Sequence, residues 1–247
     1  TYSYDNWGDP IPSQAGYRVE RTVTGLDMGL EQLSDPESDL FISENENPQL
    51  SGARDFFIDQ NTKTMWLADS GNNRILRLNM DLEVTGVYKT FTGGTISTLE
   101  NPMGVFATSD SAGNTTLYIA DSDNQRAIRT KITGDMTAEI EVEYTKPDSA
   151  AYTAEAFNPS KILADKEGNA YLVCTSVSTG ALRYDSTGTF RGFYGANRVE
   201  QTADVIARKA WRVFASDEQL QAMTSSVPTE FNNFDIDVQG FVYTVTE

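Results

Sequence analysis

The chain contains the sequence Leu67-Ala68-Asp69-Ser70-Gly71-Asn72-Asn73-Arg74-Ile75, and residues 119–128 repeat it in similar form as Ile-Ala-Asp-Ser-Asp-Asn-Gln-Arg-Ala-Ile. In both copies an apolar segment headed by an aromatic residue leads into Asp-Ser, a polar turn and an arginine. A second apolar segment follows. Each copy therefore predicts a β-hairpin. A hairpin that recurs at a regular interval indicates a repeat architecture.

Aromatic residues in equivalent positions give the length of the repeat. Trp66 and Tyr118 are 52 residues apart, and Tyr171 follows after another 53. The next step, to Tyr243, is 72 residues, and an insertion accounts for its greater length. Each unit has four short apolar segments separated by turn residues, which is typical of a β-propeller blade. Blades bury both faces of their sheets only by stacking around an axis, so the sequence predicts an all-β propeller of four-stranded blades.

The insertion is predicted to be helical. Between residues 206 and 214 the apolar side chains fall at helical spacing, and residues 216–219 form a capping-box pattern that begins a second short helix. We therefore expect one propeller domain over 1–247. Its parts are an irregular N-terminal arm (1–16), a strand that completes the last blade (17–25), three blades (54–93, 101–145 and 158–199), the helical insertion (200–228) and half a blade (231–247).

The charge balance excludes some partners. The chain has 36 acidic and 19 basic residues and a formal net charge of -17. Such a surface repels phosphate backbones and anionic membranes, so nucleic acid is not an expected partner. The sequence contains no run of 18 apolar residues, so we expect no membrane insertion of this chain.

The residue types also limit the chemistry. The chain has no histidine, which removes the commonest general base and the commonest transition-metal ligand, so neither a Ser-His-Asp triad nor a His-ligated zinc site can form within it. The single cysteine, Cys174, lies in an apolar strand and is predicted to be a buried, inert thiol. The sequence therefore predicts no catalytic residue, and an enzyme is not the favoured class.

Several motifs resemble a known repeat. The segment 69–75 resembles the signature turn of NHL repeats, and 121–126 is similar to it. Asn101-Pro102-Met103-Gly104 and Asn158-Pro159-Ser160-Lys161 resemble the Pro-containing start of that repeat. The third unit departs from the pattern, because Cys174 replaces the turn aspartate. The resemblance covers about 54–247, and residues 2–8 resemble the opening segment of a group of bacterial NHL-type propeller proteins.

This resemblance carries several expectations. It implies a six-bladed type of propeller that this chain covers only in part, and an extracytoplasmic or cell-surface location in a bacterium. An open array of blades would expose sheet edges and apolar faces. We therefore expect further blades beyond Glu247, or a partner that covers the open side, and association through the open blade edges is one such contact.

Two groups of residues are candidate ligand contacts. Alignment of the four inner strands places Asp55, Gly104, Lys161 and Asn233 nearest the axis, so Asp55, Lys161 and Asn233 are predicted at the mouth of a central channel. That set mixes charge signs and makes a poor calcium cage, so no metal site is predicted. The second group is the basic cluster on the polar face of the insertion, Arg208, Lys209 and Arg212. The repeated Asp, Asn and Arg sets of the two hairpins are predicted to be structural, because short polar side chains satisfy turn amides.

These features favour a non-catalytic binding or scaffold propeller that presents loops around a central depression to a protein, peptide or carbohydrate ligand. No cofactor is expected. Two alternatives stay open. Lactonase-like propellers hold a calcium ion between their blades, so the resemblance allows a calcium-dependent lactonase-like hydrolase. The chain could also be a structural spacer domain of a longer cell-surface protein.

Overall fold

The computed structural model describes residues 2–4, 9–12, 19–175, 177, 180–195, 233–237 and 242–245. Within these ranges the protein is all-β, with two short 3-10 helices. The helices are η1 (Leu30–Ser34) and η2 (Ser70–Asn72). The strands are β1 (Tyr2–Tyr4), β2 (Pro10–Pro12), β3 (Asp55–Asp59), β4 (Thr64–Asp69), β5 (Arg74–Leu78), β6 (Val84–Tyr88), β7 (Pro102–Ser109), β8 (Thr115–Asp121), β9 (Arg126–Ile132), β10 (Ala138–Tyr144), β11 (Pro159–Ala164), β12 (Ala170–Cys174), β13 (Ala181–Tyr184), β14 (Phe190–Tyr194), β15 (Asn233–Ile236) and β16 (Val242–Val245).

In the part of the chain that the structure describes, three antiparallel four-stranded sheets form the body of the molecule. Strands β3 to β6 make the first blade, β7 to β10 the second and β11 to β14 the third, with the strands of each blade paired in chain order. Strands β15 and β16 pair as a two-stranded sheet. These three four-stranded sheets lie within the ranges 54–93, 101–145 and 158–199, which the sequence repeat predicts as blades. The prediction of an all-β propeller built from four-stranded blades is confirmed.

The first strand of each sheet lies on the inside. Strand β3 packs beside β7, β7 beside β11, and β11 beside β15. Gly104 allows one of these close approaches, because a Cβ atom there would lie 2.8 Å from the carbonyl oxygen of Ser160 and 2.9 Å from Cα of Lys161. The inner strands therefore surround one central space.

Aromatic side chains fill the gaps between the blades. Trp66 and Tyr88 of the first blade pack in one buried cluster with Ile119 of the second. Between the second and third blades, the rings of Tyr144 and Tyr184 meet edge to face with their centroids 5.4 Å apart. Burial of a large apolar side chain stabilises a fold by roughly 1.5–3 kcal/mol, so these contacts are a main source of stability.

Residues 24–50 cover part of the free face of the first blade. The sequence of residues 30–53 is acidic and contains proline, which predicts a loop around the short apolar piece 40–42. In the structure, η1 buries Leu30 and Leu33 against the outer strands of the blade, where Leu76 and Leu78 are also buried. Most acidic residues of this segment are exposed, and its buried apolar residues make the contact. Glu46 is the exception, because its carboxylate is largely buried and pairs with Arg74 and Lys89, at 3.1 and 2.9 Å.

The structure changes two expectations about the N-terminal part of the chain. The N-terminal arm contains a short hairpin, β1 paired with β2, where an irregular segment is predicted. Residues 19–24 form no strand, although a strand is predicted over 17–25. Alternating side chains favour a strand, but a strand also needs a neighbour with which to exchange hydrogen bonds. The predicted helical insertion, 200–228, lies outside the described residues. In the described ranges, no helix is long and apolar enough to cross a membrane.

Candidate functional site

A depression of about 1480 Å³ lies between the inner strands. All four inner strands, β3, β7, β11 and β15, contribute to its walls. Polar side chains occupy its two ends, where the inner strands begin and finish, and aromatic side chains occupy the wall between them. Clefts of this kind combine apolar surface with a few polar groups that orient a ligand.

An ion pair lies at the end of the depression where the inner strands begin. Nζ of Lys161 donates to Oδ1 of Asp55 at 2.5 Å, and each side chain is 17% exposed. The other carboxylate oxygen of Asp55 accepts a hydrogen bond from the backbone N–H of Val105 at 3.0 Å. The aspartate of the first blade thus contacts both the second and the third blade. Gly104 has no side chain to separate them.

Asn233 lines the same depression. Its Oδ1 accepts a hydrogen bond from the backbone N–H of Phe234 at 2.9 Å, and the residue is exposed. The structure therefore brings Asp55, Lys161 and Asn233 to one cavity. The other predicted contacts, Arg208, Lys209 and Arg212, lie outside the described residues and stay a prediction.

The axial residues do not fit a calcium ion. Calcium binds six to eight oxygen ligands, whereas the Lys161 ammonium group contacts the Asp55 carboxylate and Gly104 offers no side-chain oxygen. Among the residues that the structure describes, no group of three or more His, Cys, Asp or Glu side chains could hold a metal ion.

Aspartates close the turns at the opposite end of the depression. Oδ1 of Asp165 accepts hydrogen bonds from the backbone N–H groups of Glu167 and Asn169, at 3.1 and 2.9 Å. Asp110 accepts equivalent bonds from Ala112 and Asn114, both at 2.9 Å. These turns are fixed by the side chain that begins them.

Sequence reasoning missed this recurring turn, although its signal is visible. An aspartate stands three residues before a glycine in each case, as in Asp110 to Gly113 and Asp165 to Gly168. The two glycines have φ of 83° and 79°, in the left-handed region that glycine adopts without steric cost. In both turns, therefore, the aspartate side chain and the glycine together fix the conformation of the backbone.

Tyr171 and Tyr194 form an aromatic wall of the depression. Their rings meet edge to face with centroids 5.2 Å apart. The Tyr171 hydroxyl donates to Oδ2 of Asp165 at 3.0 Å. Burial, together with this carboxylate, raises the pKa of Tyr171 to about 12, so it is a neutral donor at ordinary pH. Tyr194 is exposed and lines the depression.

The repeated hairpin residues are structural, as the sequence predicts. In the first copy, Nε of the fully buried Arg74 donates to Asp69 at 2.7 Å. Its terminal nitrogens donate to the carbonyl groups of Asn47 and Gln49, at 2.9 and 3.1 Å. Asp69 also accepts the backbone N–H of Ser51 at 2.7 Å. The guanidinium group thus ties the blade to the segment that precedes it.

The second copy repeats this arrangement. Nε of Arg126 donates to Asp121 at 2.9 Å, and a terminal nitrogen donates to the carbonyl of Thr98 at 3.1 Å. Asp121 accepts the backbone N–H of Glu100 at 2.8 Å. The remaining terminal nitrogen contacts Glu143 at 2.7 Å. Both sets bind protein atoms rather than presenting free groups to a ligand.

Cys174 is buried in β12, as predicted, and burial raises the pKa of its thiol to about 12. A thiol with such a pKa stays protonated at neutral pH and is a poor nucleophile. It belongs to the cluster between the second and third blades.

A comparison with known protein-family models found no match. A comparison with curated protein sequences found none either. Among solved structures, hydrazine synthase from Kuenenia stuttgartiensis matches at 13% identity and a TM-score of 0.42, over 60% of this chain and 37% of that chain. Streptogramin B lyase matches at 21% identity and a TM-score of 0.39, over 58% and 40%.

The extracellular domain of a B. thetaiotaomicron protein matches at 15% identity and a TM-score of 0.44, over 78% of this chain and 22% of that chain. The chain thus spans less than half the length of each of these three matched chains. The fold assignment rests on the chain's own three four-stranded sheets.

Proposed function

We propose that this chain is a binding platform, a rigid set of propeller blades that presents its central depression to a protein, peptide or carbohydrate ligand. The observation that carries the proposal is the depression of about 1480 Å³ between the inner strands. Pockets for drug-sized ligands measure roughly 300–1,000 Å³, so this space is large enough for a peptide or oligosaccharide segment.

The lining supports recognition of a ligand with both polar and apolar groups. Asp55, Lys161 and Asn233 supply charged and amide groups at one end. Tyr194, which is exposed, supplies ring surface on the wall, and the buried Tyr171 ring packs against it. Tyrosine combines an apolar ring with a polar hydroxyl and loses little conformational freedom on binding. These groups would fix the orientation of a bound segment and supply contact area.

The rigidity of the surroundings also supports a platform. Asp110 and Asp165 fix the turns at one end, and the ion pair of Asp55 with Lys161 fixes the other. A surface that is already ordered loses little entropy when a ligand binds. In this proposal the predicted basic cluster of the insertion, Arg208, Lys209 and Arg212, adds contacts at the rim to acidic groups of the ligand.

We also propose that the blades are NHL-like repeats of a protein that acts outside the cytoplasm or at the cell surface of a bacterium. The support for the family is the network of Asp69, Asn72 and Arg74, whose contacts recur around Asp121 and Arg126. The support for the location is the sequence resemblance alone. Fractionation of the host cells, with detection of the natural protein in each fraction, tests the proposed location.

Binding arrays test the function. Labelled protein is applied to peptide and glycan arrays, and each hit is measured by titration calorimetry with and without calcium. Tyr194→Ala removes the exposed ring of the wall. It should therefore lower the affinity for a true ligand at least about tenfold, as loss of an aromatic anchor does. Met80→Ala, at a half-exposed methionine away from the depression, is the matched control.

Two results would count against the platform. Hits that bind Tyr194→Ala as tightly as the natural sequence would place binding elsewhere. A ligand that binds only with calcium and is then hydrolysed would favour the lactonase-like alternative.

A further inference from the structure

The described blades meet one another through two recurring faces. Each blade presents the aromatic residue of its second strand to the next blade. Trp66 is 0% exposed, Tyr118 is 3% exposed and Tyr171 is 8% exposed. We name this the presenting face. Its aromatic residue is covered wherever a following sheet packs on it.

The next blade receives this aromatic residue on an aliphatic face. On the second blade the receiving face includes Leu117 and Ile119, and on the third it includes Ile162, Leu172 and Leu182. All five side chains are buried. Presenting and receiving faces are therefore complementary halves of one repeated interface.

The first blade has a receiving face that is covered only in part. Phe56, Leu67 and Leu76 lie opposite one another across β3, β4 and β5, so their side chains share that face. Residues 24–50 cover its outer half, where Leu76 is buried. At its inner edge Phe56 is 66% exposed. A phenylalanine in this position on an inner strand lacks the neighbour that the other blades have.

The two-stranded sheet has a presenting face that is also uncovered. Tyr243 pairs with Asp235 across β15 and β16, just as Trp66 pairs with Phe57 in the first blade. The register therefore makes Tyr243 the equivalent of Trp66, yet Tyr243 is 60% exposed. The described residues therefore include one uncovered presenting face, around Tyr243, and one partly uncovered receiving face, around Phe56.

We propose that two copies of this chain associate head to tail, with the presenting face around Tyr243 of one copy on the receiving face around Phe56 of the other. Because a second copy of the chain has the same two faces, it supplies the complementary face for each. Charge also matches, because Asp235 lies exposed beside Tyr243 and Arg54 lies exposed two residues before Phe56. Side chains two residues apart on an extended strand share a face.

This contact joins two different surfaces, so it is heterologous and can continue from copy to copy. The net charge of -17 on each chain opposes it. Salt weakens that repulsion, since the Debye length falls to about 3 Å at about 1 M salt. We expect association to be weak at low salt and stronger at high salt.

Sedimentation velocity over a concentration series, in about 1 M salt, tests the proposal. The natural sequence should show oligomers that grow with concentration. Phe56→Lys and Tyr243→Lys each place a charge in the contact and should raise the dissociation constant at least about tenfold. Met80→Lys, at a half-exposed methionine outside both faces, should leave it unchanged. Circular dichroism melts establish that each variant is folded.

Mixing the two face variants gives the sharper result. Phe56→Lys still has a natural Tyr243 face, and Tyr243→Lys still has a natural Phe56 face. An equimolar mixture should therefore form dimers that do not grow further, although each variant alone is monomeric. A mixture that stays monomeric would overturn the proposal. Monomers of the natural sequence at every concentration would also overturn it.

Discussion

Nζ of Lys161 lies 2.5 Å from Oδ1 of Asp55, and this contact joins the third blade to the first although the residues are 106 positions apart in sequence. Hydrogen bonds between two charged groups are roughly twice as strong as those between neutral groups. The pair lies at the end of the depression, where it is mostly but not fully removed from water. It therefore links the inner strands of two blades and places a charged pair in the lining of the proposed ligand site.

Replacement of Gly104 by alanine should loosen this arrangement. The added Cβ would lie 2.8 Å from the carbonyl oxygen of Ser160, which is backbone and cannot swing away. Overpacking of this kind costs about 1–3 kcal/mol, measurable as a lower free energy of unfolding in urea. Gly52→Ala is the control, because its Cβ would meet no atom within 4 Å and only its φ of 57° adds strain. Equal losses of unfolding free energy in the two variants, with the contact between Lys161 and Asp55 intact, would contradict the close packing at Gly104.

Removal of the buried guanidinium group should destabilise the first blade strongly. Arg74→Met leaves the fully buried Asp69 without its charged partner. Breaking a buried pair from one side costs about 3–5 kcal/mol. Arg191→Met is a matched control, since Arg191 pairs with Asp185 at 2.6 Å on the surface, and it should change the unfolding free energy far less. Similar urea midpoints for the two variants would show that the Arg74 network is not structural.

Stability should fall in alkaline solution because buried tyrosines hold their protons more tightly in the folded chain than in the unfolded chain. Burial raises the pKa of Tyr88 and Tyr171 to about 12 in the folded chain, against about 10 for an unfolded tyrosine. Between these values the unfolded chain loses the phenolic protons first, so unfolding becomes easier as pH rises from about 10 to about 12. Urea unfolding across this range measures the effect. Tyr171→Phe should reduce the pH dependence, and an unchanged slope would contradict the assignment.

The blade architecture can be predicted from the sequence because equivalent residues recur at a regular spacing. The regular interval between Trp66, Tyr118 and Tyr171 predicts the blades, and alignment of the inner strands predicts that Asp55 and Lys161 line the axis. The contact between these two residues cannot be derived in this way. It depends on the direction of a long side chain and on the close approach that Gly104 permits.

Other features escape prediction for physical reasons. Residues 24–50 have an acidic composition that indicates a loop, and the burial of Leu30 and Leu33 depends on a surface supplied by the first blade. The alternation at 17–25 favours a strand, but a strand also needs a partner edge, which local sequence does not specify. The Asp-x-x-Gly turns, by contrast, are visible in the sequence, where they begin at Asp110, Asp165 and Asp185 and join paired strands.

A double-mutant cycle on Asp55 and Lys161 tests the central claim most directly, namely that the blades surround one depression closed by this pair. The free energy of unfolding is measured in urea for Asp55→Asn, Lys161→Met, the double variant and the natural sequence. Groups in direct contact couple by about 0.5–3 kcal/mol, and the account predicts a coupling of at least about 1 kcal/mol for this charge-assisted bond. Effects that add, with a coupling near zero, would contradict it, because the first and third blades would then not meet at the axis.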